Sequence, residues 1–186
     1  PELRNFLQMI GRRRGAFNFI NRIFARTSNE PTLQPIVTAA VEMAATKTGA
    51  LIVLTQRSDL SDIIDSGITI NAQLSVPLLE NIFFKNAPLH DGAVVVQDNR
   101  VAAAKCILPV TQSNVPKSYG TRHRAAIGIT ETSDAIVVVV SEETGAISVA
   151  HKGSIKRGLS ETELKAELMR LGKVAVSKPA EENQAE

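Results

Sequence analysis

Two short motifs, about thirty residues apart, carry the side chains best suited to chemistry in this 186-residue chain. The first, Leu89-His90-Asp91-Gly92-Ala93, places an imidazole and a carboxylate beside a glycine at the start of an apolar run. The second, Gly120-Thr121-Arg122-His123-Arg124, gathers a hydroxyl, an imidazole and two guanidinium groups. A carboxylate beside an imidazole can hold a divalent cation or activate a hydroxyl, and arginine forks match phosphate oxygens. Together the motifs indicate chemistry on a nucleoside triphosphate.

Each motif also has a purely structural interpretation. Asp-Gly is a common turn dipeptide, and His90 could be a partly buried loop histidine. The basic cluster could be a surface feature paired with Glu131 or Glu142. If Thr121 caps a following helix, backbone N–H groups and the helix dipole favour an anion there. Ser141-Glu142-Glu143, directly after a buried strand, can line a site at the sheet edge or form a solvated turn.

Composition narrows the function classes. Hydrophobic residues make up 44% and charged residues 22%, as in a soluble globular protein, and the net charge of +2 does not by itself indicate nucleic-acid binding. The single cysteine, Cys106, excludes an intrachain disulfide and a cysteine-based zinc site, and its apolar neighbours predict a buried thiol. No apolar run reaches the roughly eighteen residues of a membrane span. P-loop, GxGxxG and HExxH motifs are absent from the sequence.

Apolar periodicity predicts an α/β single domain with one mixed β-sheet flanked by helices. The predicted strands are Ala50–Thr55, Ala93–Gln97, Val101–Leu108, Ala135–Val140 and Ile147–Ala150, the second and third forming a hairpin. The four valines from Val137 to Val140 indicate a strand buried on both faces. The predicted helices are Leu33–Thr48, a short turn at Leu60–Ile64, Ser75–Asn86 capped by Asn71, Arg122–Gly128, and one from Ser160 to about Leu171. The segment from His151 to Arg157 is predicted to be a solvated basic loop.

The motifs resemble those of the diadenylate cyclase (DAC) domain, most closely the bacterial membrane-anchored type. The resemblance rests on the two motifs, extended by Ala125-Ala126, and on Ser141-Glu142-Glu143-Thr144-Gly145. It covers roughly residues 29 to 149, and both the DGA and RHR motifs are complete and in order. It implies a mixed sheet flanked by helices, in agreement with the periodicity. It also implies an enzyme that joins two ATP molecules into cyclic di-AMP and releases two pyrophosphates.

The resemblance carries residue roles as well. It implies a catalytic set of Asp91, Arg122 and His123, and metal ligands Asp91, His90 and Glu143 for Mg²⁺, Mn²⁺ or Co²⁺. The implied ATP-binding residues are Gly92, Ala93, Leu108, Thr121, Arg122, His123, Arg124, Ser141 and Glu142. Asp91 would activate the ribose 3′-hydroxyl, and Leu108 would enclose the adenine. One departure is Ile107, where some related domains carry an aromatic residue that can stack on the base.

Partners and location follow from the same resemblance. Each subunit would bind one ATP, so catalysis requires a homodimer with facing sites, and a regulatory protein partner would act on that dimer. Residues 1–28 are expected to be a helical linker that follows a missing transmembrane region, residues 29–176 the catalytic domain, and residues 177–186 a disordered tail. The basic run Arg12-Arg13-Arg14 fits either a solvated turn or a cytoplasmic membrane face. The expectation is a soluble cytoplasmic fragment of a bacterial cell-membrane protein. The alternative function is a nucleotide-binding regulatory module without turnover.

Overall fold

The computed structural model describes residues 30–116 and 118–176, which contain a seven-stranded mixed sheet between two layers of helices. The strands are β1 (Ala50–Leu54), β2 (Ile68–Gln73), β3 (Ala93–Gln97), β4 (Arg100–Cys106), β5 (Ile136–Val140), β6 (Ile147–His151) and β7 (Ser154–Arg157). The helices are α1 (Glu30–Ala45), α2 (Ser61–Asp65), α3 (Val76–Phe83), α4 (Thr121–Thr132) and α5 (Glu161–Val176). The predicted fold class, a single α/β domain with a mixed sheet, is confirmed.

The strands lie in the order β2-β4-β3-β1-β5-β6-β7. Strands β1 and β3 are parallel, and every other neighbouring pair is antiparallel. The valine-rich β5 is buried along its whole length beside the middle strand β1, as its sequence predicts.

Side-chain alternation along the inner strands divides the core into two layers. In β1, Ala50, Ile52 and Leu54 belong to the cluster that contains the apolar faces of α1, α3 and α5. Leu51 and Val53 belong to the second cluster, with α4. Since successive strand residues point to opposite faces, a short apolar strand supplies both layers at once. The helix α4, which begins with the second motif, is therefore held against the sheet by a hydrophobic face of its own.

Asn71 does not cap a helix; this prediction is wrong. It lies inside β2 with φ of 47°, where the pairing with β4 shifts between Thr69 and Ala72. The Arg100 side chain holds the bulge, with Nε donating to Asn71 Oδ1 at 2.8 Å. Contacts between strands that are distant in the chain have no local sequence signal. An asparagine ahead of an apolar helical pattern is therefore easily taken for a helix cap. Helix α3 instead begins after Ser75.

The predicted basic loop from His151 to Arg157 is also wrong, because this segment pairs as the hairpin β6–β7. Lys152 and Gly153, with φ of 49° and 72°, form its two-residue turn. Strand β7 is mostly exposed at the sheet edge and lacks apolar alternation, which hides it from periodicity. Helix α4 is longer than predicted, ending at Thr132.

The predicted capping box of the last helix is confirmed. The Ser160 amide donates to Glu163 Oε2 at 2.9 Å, and the Glu163 amide donates to Ser160 Oγ at 3.3 Å. The predicted linker 1–28 and tail 177–186 lie outside the described residues. Within the part of the chain that the structure describes, no helix combines the length and apolarity needed to cross a membrane.

Candidate active site

An open pocket of about 680 Å³ lies at the edge of the sheet where β1 and β3 begin and β4 and β5 end. Its volume falls within the range of small-molecule sites. Both motifs contribute to it, although the β3–β4 hairpin and a polar loop separate them in the chain. The lining residues are Leu51, Ser66, Gly67, Ile68, His90, Asp91, Gly92, Lys105, Cys106, Ile107, Leu108, Val110, Thr121, Arg122, Ala125 and Glu142.

The first motif enters the pocket directly before β3. Asp91 is exposed, and Gly92 adopts φ of 142°, a conformation that side chains rarely adopt. A Cβ on Gly92 would lie 2.7 Å from both Cα and the carbonyl carbon of Lys105. The glycine therefore lets the motif press against β4, which places the Asp91 carboxylate at the pocket wall. Ala93 is fully buried at the start of β3 and does not line the pocket.

The orientation of His90 is fixed by its own backbone turn. Its Nδ1 lies 2.6 Å from the Ala87 carbonyl oxygen. Since a carbonyl oxygen can only accept, Nδ1 carries a proton, and in the neutral tautomer Nε2 has the free lone pair. Metal-ligating histidines commonly show this arrangement, because the second ring nitrogen is then free to coordinate. His90 lines the pocket beside Asp91.

The second motif opens helix α4, and Gly120 occupies the N-cap position. Thr121 is the first helical residue, so the idea that it caps this helix is wrong. The first backbone N–H groups of α4 have no side-chain cap, and Thr121 and Arg122 both line the pocket. An uncapped helix start beside a pocket favours a bound anion.

Arg122 is held inside the pocket by an acid from the turn after β5. Its Nη1 donates to Glu142 Oε2 at 2.7 Å, and the Arg122 side chain is only 20% exposed. The sequence had left open a pairing of the basic cluster with Glu131 or Glu142, and the structure shows Glu142. Glu131 instead accepts hydrogen bonds from the hydroxyls of Thr111 and Ser113.

Gly49 is a residue that the sequence analysis did not single out for the site. A Cβ there would lie 2.7 Å from Arg122 Nη1 and 3.0 Å from Glu142 Cβ. The absence of a side chain leaves the space that this ion pair fills. In the sequence, Gly49 is no different from an ordinary glycine after a helix, so nothing local could have shown the contact.

His123 lies behind the pocket rather than in it. It is buried on α4, and neither ring nitrogen has a hydrogen-bond partner among the described residues. Its ring packs against Tyr119, with centroids 5.7 Å apart, and the Arg157 guanidinium lies 4.8 Å from the Tyr119 ring centroid. Burial, assisted by the positive charge of Arg157 and opposed by Glu143, lowers the pKa of His123 below its ordinary value. The ring therefore favours its neutral form.

Three further predicted residues flank the pocket without lining it. Arg124 and Glu143 are exposed, and neither lines the pocket. Ser141 is half-buried, and its hydroxyl accepts a hydrogen bond from the Thr144 amide at 3.3 Å. This contact shapes the turn that carries Glu142.

The predicted metal ligands His90, Asp91 and Glu143 do not come together. Across residues 30–116 and 118–176, no three His, Cys, Asp or Glu residues are grouped so as to share a metal ion. His90 and Asp91 both line the pocket, however. One or two protein donors completed by substrate phosphates form the usual environment of catalytic Mg²⁺. The donor set of the pocket therefore fits a cation that arrives with a nucleotide.

The end of β4 forms the apolar wall of the pocket. Leu108 is buried there, whereas Ile107 is 72% exposed at the mouth. Burial raises the pKa of the neighbouring Cys106 thiol to about 11, so this cysteine stays protonated and is a poor nucleophile. Three residues outside the motifs, Lys105, Ile68 and Val110, also line the pocket and were not predicted from the sequence.

Comparison with known sequences identifies related proteins. The DAC family model, described as "DisA bacterial checkpoint controller nucleotide-binding", matches residues 37–155. Cyclic di-AMP synthase CdaA from Bacillus subtilis is 43% identical over 166 residues, 89% of this chain and 60% of the relative. A diadenylate cyclase from Listeria monocytogenes is 42% identical over 184 residues, 97% of this chain and 66% of the relative. The chain thus spans less than two thirds of the length of these relatives.

Solved structures agree with the sequence comparison. A double mutant of DacA from Staphylococcus aureus superposes with a TM-score of 0.75 at 43% identity, covering 77% of this chain and 96% of that chain. A hypothetical membrane spanning protein from Bacillus cereus gives a TM-score of 0.68 at 46% identity, over 71% of this chain and 67% of that chain. Sequence, fold and the meeting of the two motifs in one pocket agree, and the chain belongs to the DAC family.

Proposed function

We propose that this chain is a diadenylate cyclase, which condenses two ATP molecules into cyclic di-AMP and releases two pyrophosphates. The observation that carries the proposal is the meeting of Asp91 and Arg122 in one pocket of about 680 Å³. The names of the relatives from Bacillus subtilis and Listeria monocytogenes support the same reaction.

The pocket offers a separate region for each part of ATP. The adenine fits the apolar wall at Leu108 and Ile107, where packing replaces aromatic stacking. The ribose fits the surface left open by Gly92, next to the Asp91 carboxylate. The triphosphate fits the start of α4, where Thr121, Arg122 and free backbone N–H groups supply hydrogen-bond donors.

The reaction is a nucleophilic displacement at phosphorus. The ribose 3′-oxygen of one ATP attacks the α-phosphorus of the other, its proton leaves to a base, and the bond to pyrophosphate breaks. Asp91 is the carboxylate placed to orient the 3′-hydroxyl and accept its proton. Arg122 neutralises charge on the phosphates, and positioning supplies most of the remaining rate enhancement.

A single pocket holds one nucleotide, so both bonds of the product require two pockets that face each other. We therefore assign the active form as a homodimer in which each protomer presents one ATP. A protein partner that covers the pocket mouth would regulate the enzyme by preventing this arrangement.

The donor set at the pocket fits a divalent cation, Mg²⁺, Mn²⁺ or Co²⁺. His90 Nε2 and the Asp91 carboxylate would hold it together with phosphate oxygens, and it would supply charge neutralisation at the transferred phosphoryl group. His123, buried on α4 behind the pocket, is assigned to positioning Arg122, its neighbour on the same helix. Direct roles for Ala93, Arg124, Ser141 and Glu143 in substrate binding stay predictions.

Attachment to the cytoplasmic face of a bacterial membrane is part of the same proposal. It is supported by the Bacillus cereus structural neighbour, described as a membrane spanning protein. The charge of the chain gives no reason to propose a nucleic-acid partner.

The experiment that tests the function compares Asp91→Asn with Asp98→Asn. Both residues are exposed aspartates at opposite ends of β3, and Asp98 lies in the hairpin turn, away from the pocket. We expect Asp91→Asn to lower the rate of cyclic di-AMP formation about 10²- to 10⁴-fold while ATP binding is retained. Asp98→Asn should match the wild-type chain, since asparagine tolerates the φ of 49° there.

Normal turnover by Asp91→Asn would refute the assignment of the base. Retained nucleotide binding without product in the wild-type chain would instead favour a regulatory module.

A further inference from the structure

We infer that Lys105 is a further substrate-binding residue of this pocket, and that its ammonium group binds a phosphate oxygen of the nucleotide. The inference rests on the proposed function, because it names an additional contact to the same substrate. Neither motif contains this residue, and sequence periodicity places it inside a strand, where a lysine is an ordinary exposed residue.

The backbone at Lys105 departs from the regular strand. Between the pairs Ala93–Cys106 and Val95–Ala103, β3 advances by two residues and β4 by three. The extra residue of β4 is a β-bulge. In the registers of the described strands, Lys105 has no Cα partner on β2 or β3, whereas Ala104 pairs with β2. Bulges of this kind redirect a side chain away from the regular alternation and occur beside active sites.

Lys105 adopts the left-handed conformation, with φ of 58°. A non-glycine residue in this region carries a conformational cost, and observed strain is a reason to look for function. Lys47 and Lys152 also have positive φ, but they lie after the end of α1 and in the β6–β7 turn, where this conformation is common. At Lys105 a glycine would fit without strain, so a lysine there calls for a role of its side chain.

Position and charge identify that role. The Lys105 backbone lies directly against Gly92, because a Cβ on Gly92 would approach it to 2.7 Å. Lys105 lines the pocket and is exposed, and among the described residues it takes part in no ion pair. The other strong cation of the pocket lining, Arg122, is paired with Glu142. The Lys105 ammonium, on a flexible four-carbon stem, is suited to reach from the Gly92 side of the pocket to a phosphate of the nucleotide bound there.

The test measures binding rather than turnover. The probes are α,β-methylene-ATP, in which the bond to pyrophosphate cannot break, and adenosine, which has no phosphate. We expect Lys105→Gly to weaken binding of the ATP analogue about tenfold, as for loss of one charge-assisted contact, and to leave adenosine binding unchanged. The midpoint of thermal unfolding should stay the same or rise, because glycine relieves the backbone strain.

Two further variants serve as controls. Lys152→Gly makes the same substitution at a similar φ of 49° in the β6–β7 turn, remote from the pocket, and should bind both probes normally. Lys105→Arg keeps the positive charge and should restore most of the affinity for the ATP analogue.

Three binding results would contradict the role of Lys105, and they differ in what they imply for the proposed function. Normal binding of the ATP analogue by Lys105→Gly would overturn the inference and leave the proposed function intact. Equal weakening for the analogue and adenosine would also overturn it, because the side chain would then shape the pocket rather than bind phosphate. A wild-type chain that binds neither probe would overturn the proposed function and this inference with it.

Discussion

The substitution Gly49→Ala probes how Arg122, the proposed phosphate-binding arginine, is held. An added Cβ would lie 2.7 Å from Arg122 Nη1, 3.0 Å from Arg122 Cζ and 3.0 Å from Glu142 Cβ. Ordinary contacts of a Cβ are 3.4–4 Å, so the guanidinium must retreat by several tenths of an ångström or more. The end of an arginine side chain moves easily, and Glu142 lies in an exposed turn that can shift by a few tenths of an ångström. We therefore expect little change in the free energy of unfolding.

We expect Gly49→Ala to lower kcat/KM for cyclic di-AMP formation. If the displaced guanidinium no longer contacts the triphosphate, one charge-assisted interaction of about 1.5–3 kcal/mol is lost. This corresponds to a decrease in kcat/KM of roughly 10- to 100-fold. The assay is the initial rate of cyclic di-AMP formation at several ATP concentrations, together with a thermal unfolding curve for each variant.

A double-mutant cycle separates this mechanism from a general distortion of the pocket. In the Arg122→Ala background the new methyl group has no guanidinium to displace, so Gly49→Ala should add little to the loss. An unchanged kcat/KM for Gly49→Ala would show that the added methyl group does not displace the guanidinium from the substrate. Losses that multiply independently in the double variant would show that Gly49→Ala acts on another part of the pocket.

Two further predictions concern the support of α4. Gly128→Ala should lower the free energy of unfolding by about 1–3 kcal/mol, measured by urea denaturation, because the new Cβ would lie 2.2 Å from the Pro109 carbonyl oxygen and 2.7 Å from the Thr111 amide nitrogen. Folding lowers the pKa of His123 from its ordinary value near 6.5, so at pH values below about 7 the unfolded chain binds more protons at this residue than the folded chain does. The free energy of unfolding should therefore fall as pH drops from 7 towards 5. His123→Asn should flatten this dependence, and a wild-type slope retained in the variant would contradict it; the lowered pKa of Asp134 acts only at more acidic pH.

Much of the fold was predictable because it depends on local patterns. The apolar runs of β1, β3 and β5 are short and bounded by turn residues, and the Ser160–Glu163 pair marks the start of α5. These signals depend on a few neighbouring residues, which the sequence shows directly. The predictions of a helix cap at Asn71 and of a loop at β7 were wrong because strand pairing with distant or neighbouring segments determines the conformation there.

The site was predictable only in part, for the same physical reason. The motifs identified Asp91 and Arg122, both of which line the pocket. The helical period determines which residues of the second motif face the pocket. Arg122 lies on the pocket side of α4, whereas His123 lies on its buried side. Gly49 matters because Arg122 and Glu142 approach it closely, and Lys105 matters because it lies in a β-bulge. Neither property can be recognised in a single sequence.

The proposed function requires that two ATP molecules are joined into a cyclic dinucleotide at this pocket. The most direct measurement is mass-spectrometric identification of the products after the chain, at high concentration, is incubated with ATP and Mn²⁺, with pyrophosphate quantified in parallel. We expect cyclic di-AMP with one pyrophosphate released for each ATP consumed, and loss of both products in Asp91→Asn. Release of ADP and phosphate, or of AMP and pyrophosphate without a cyclic dinucleotide, would contradict the proposed function.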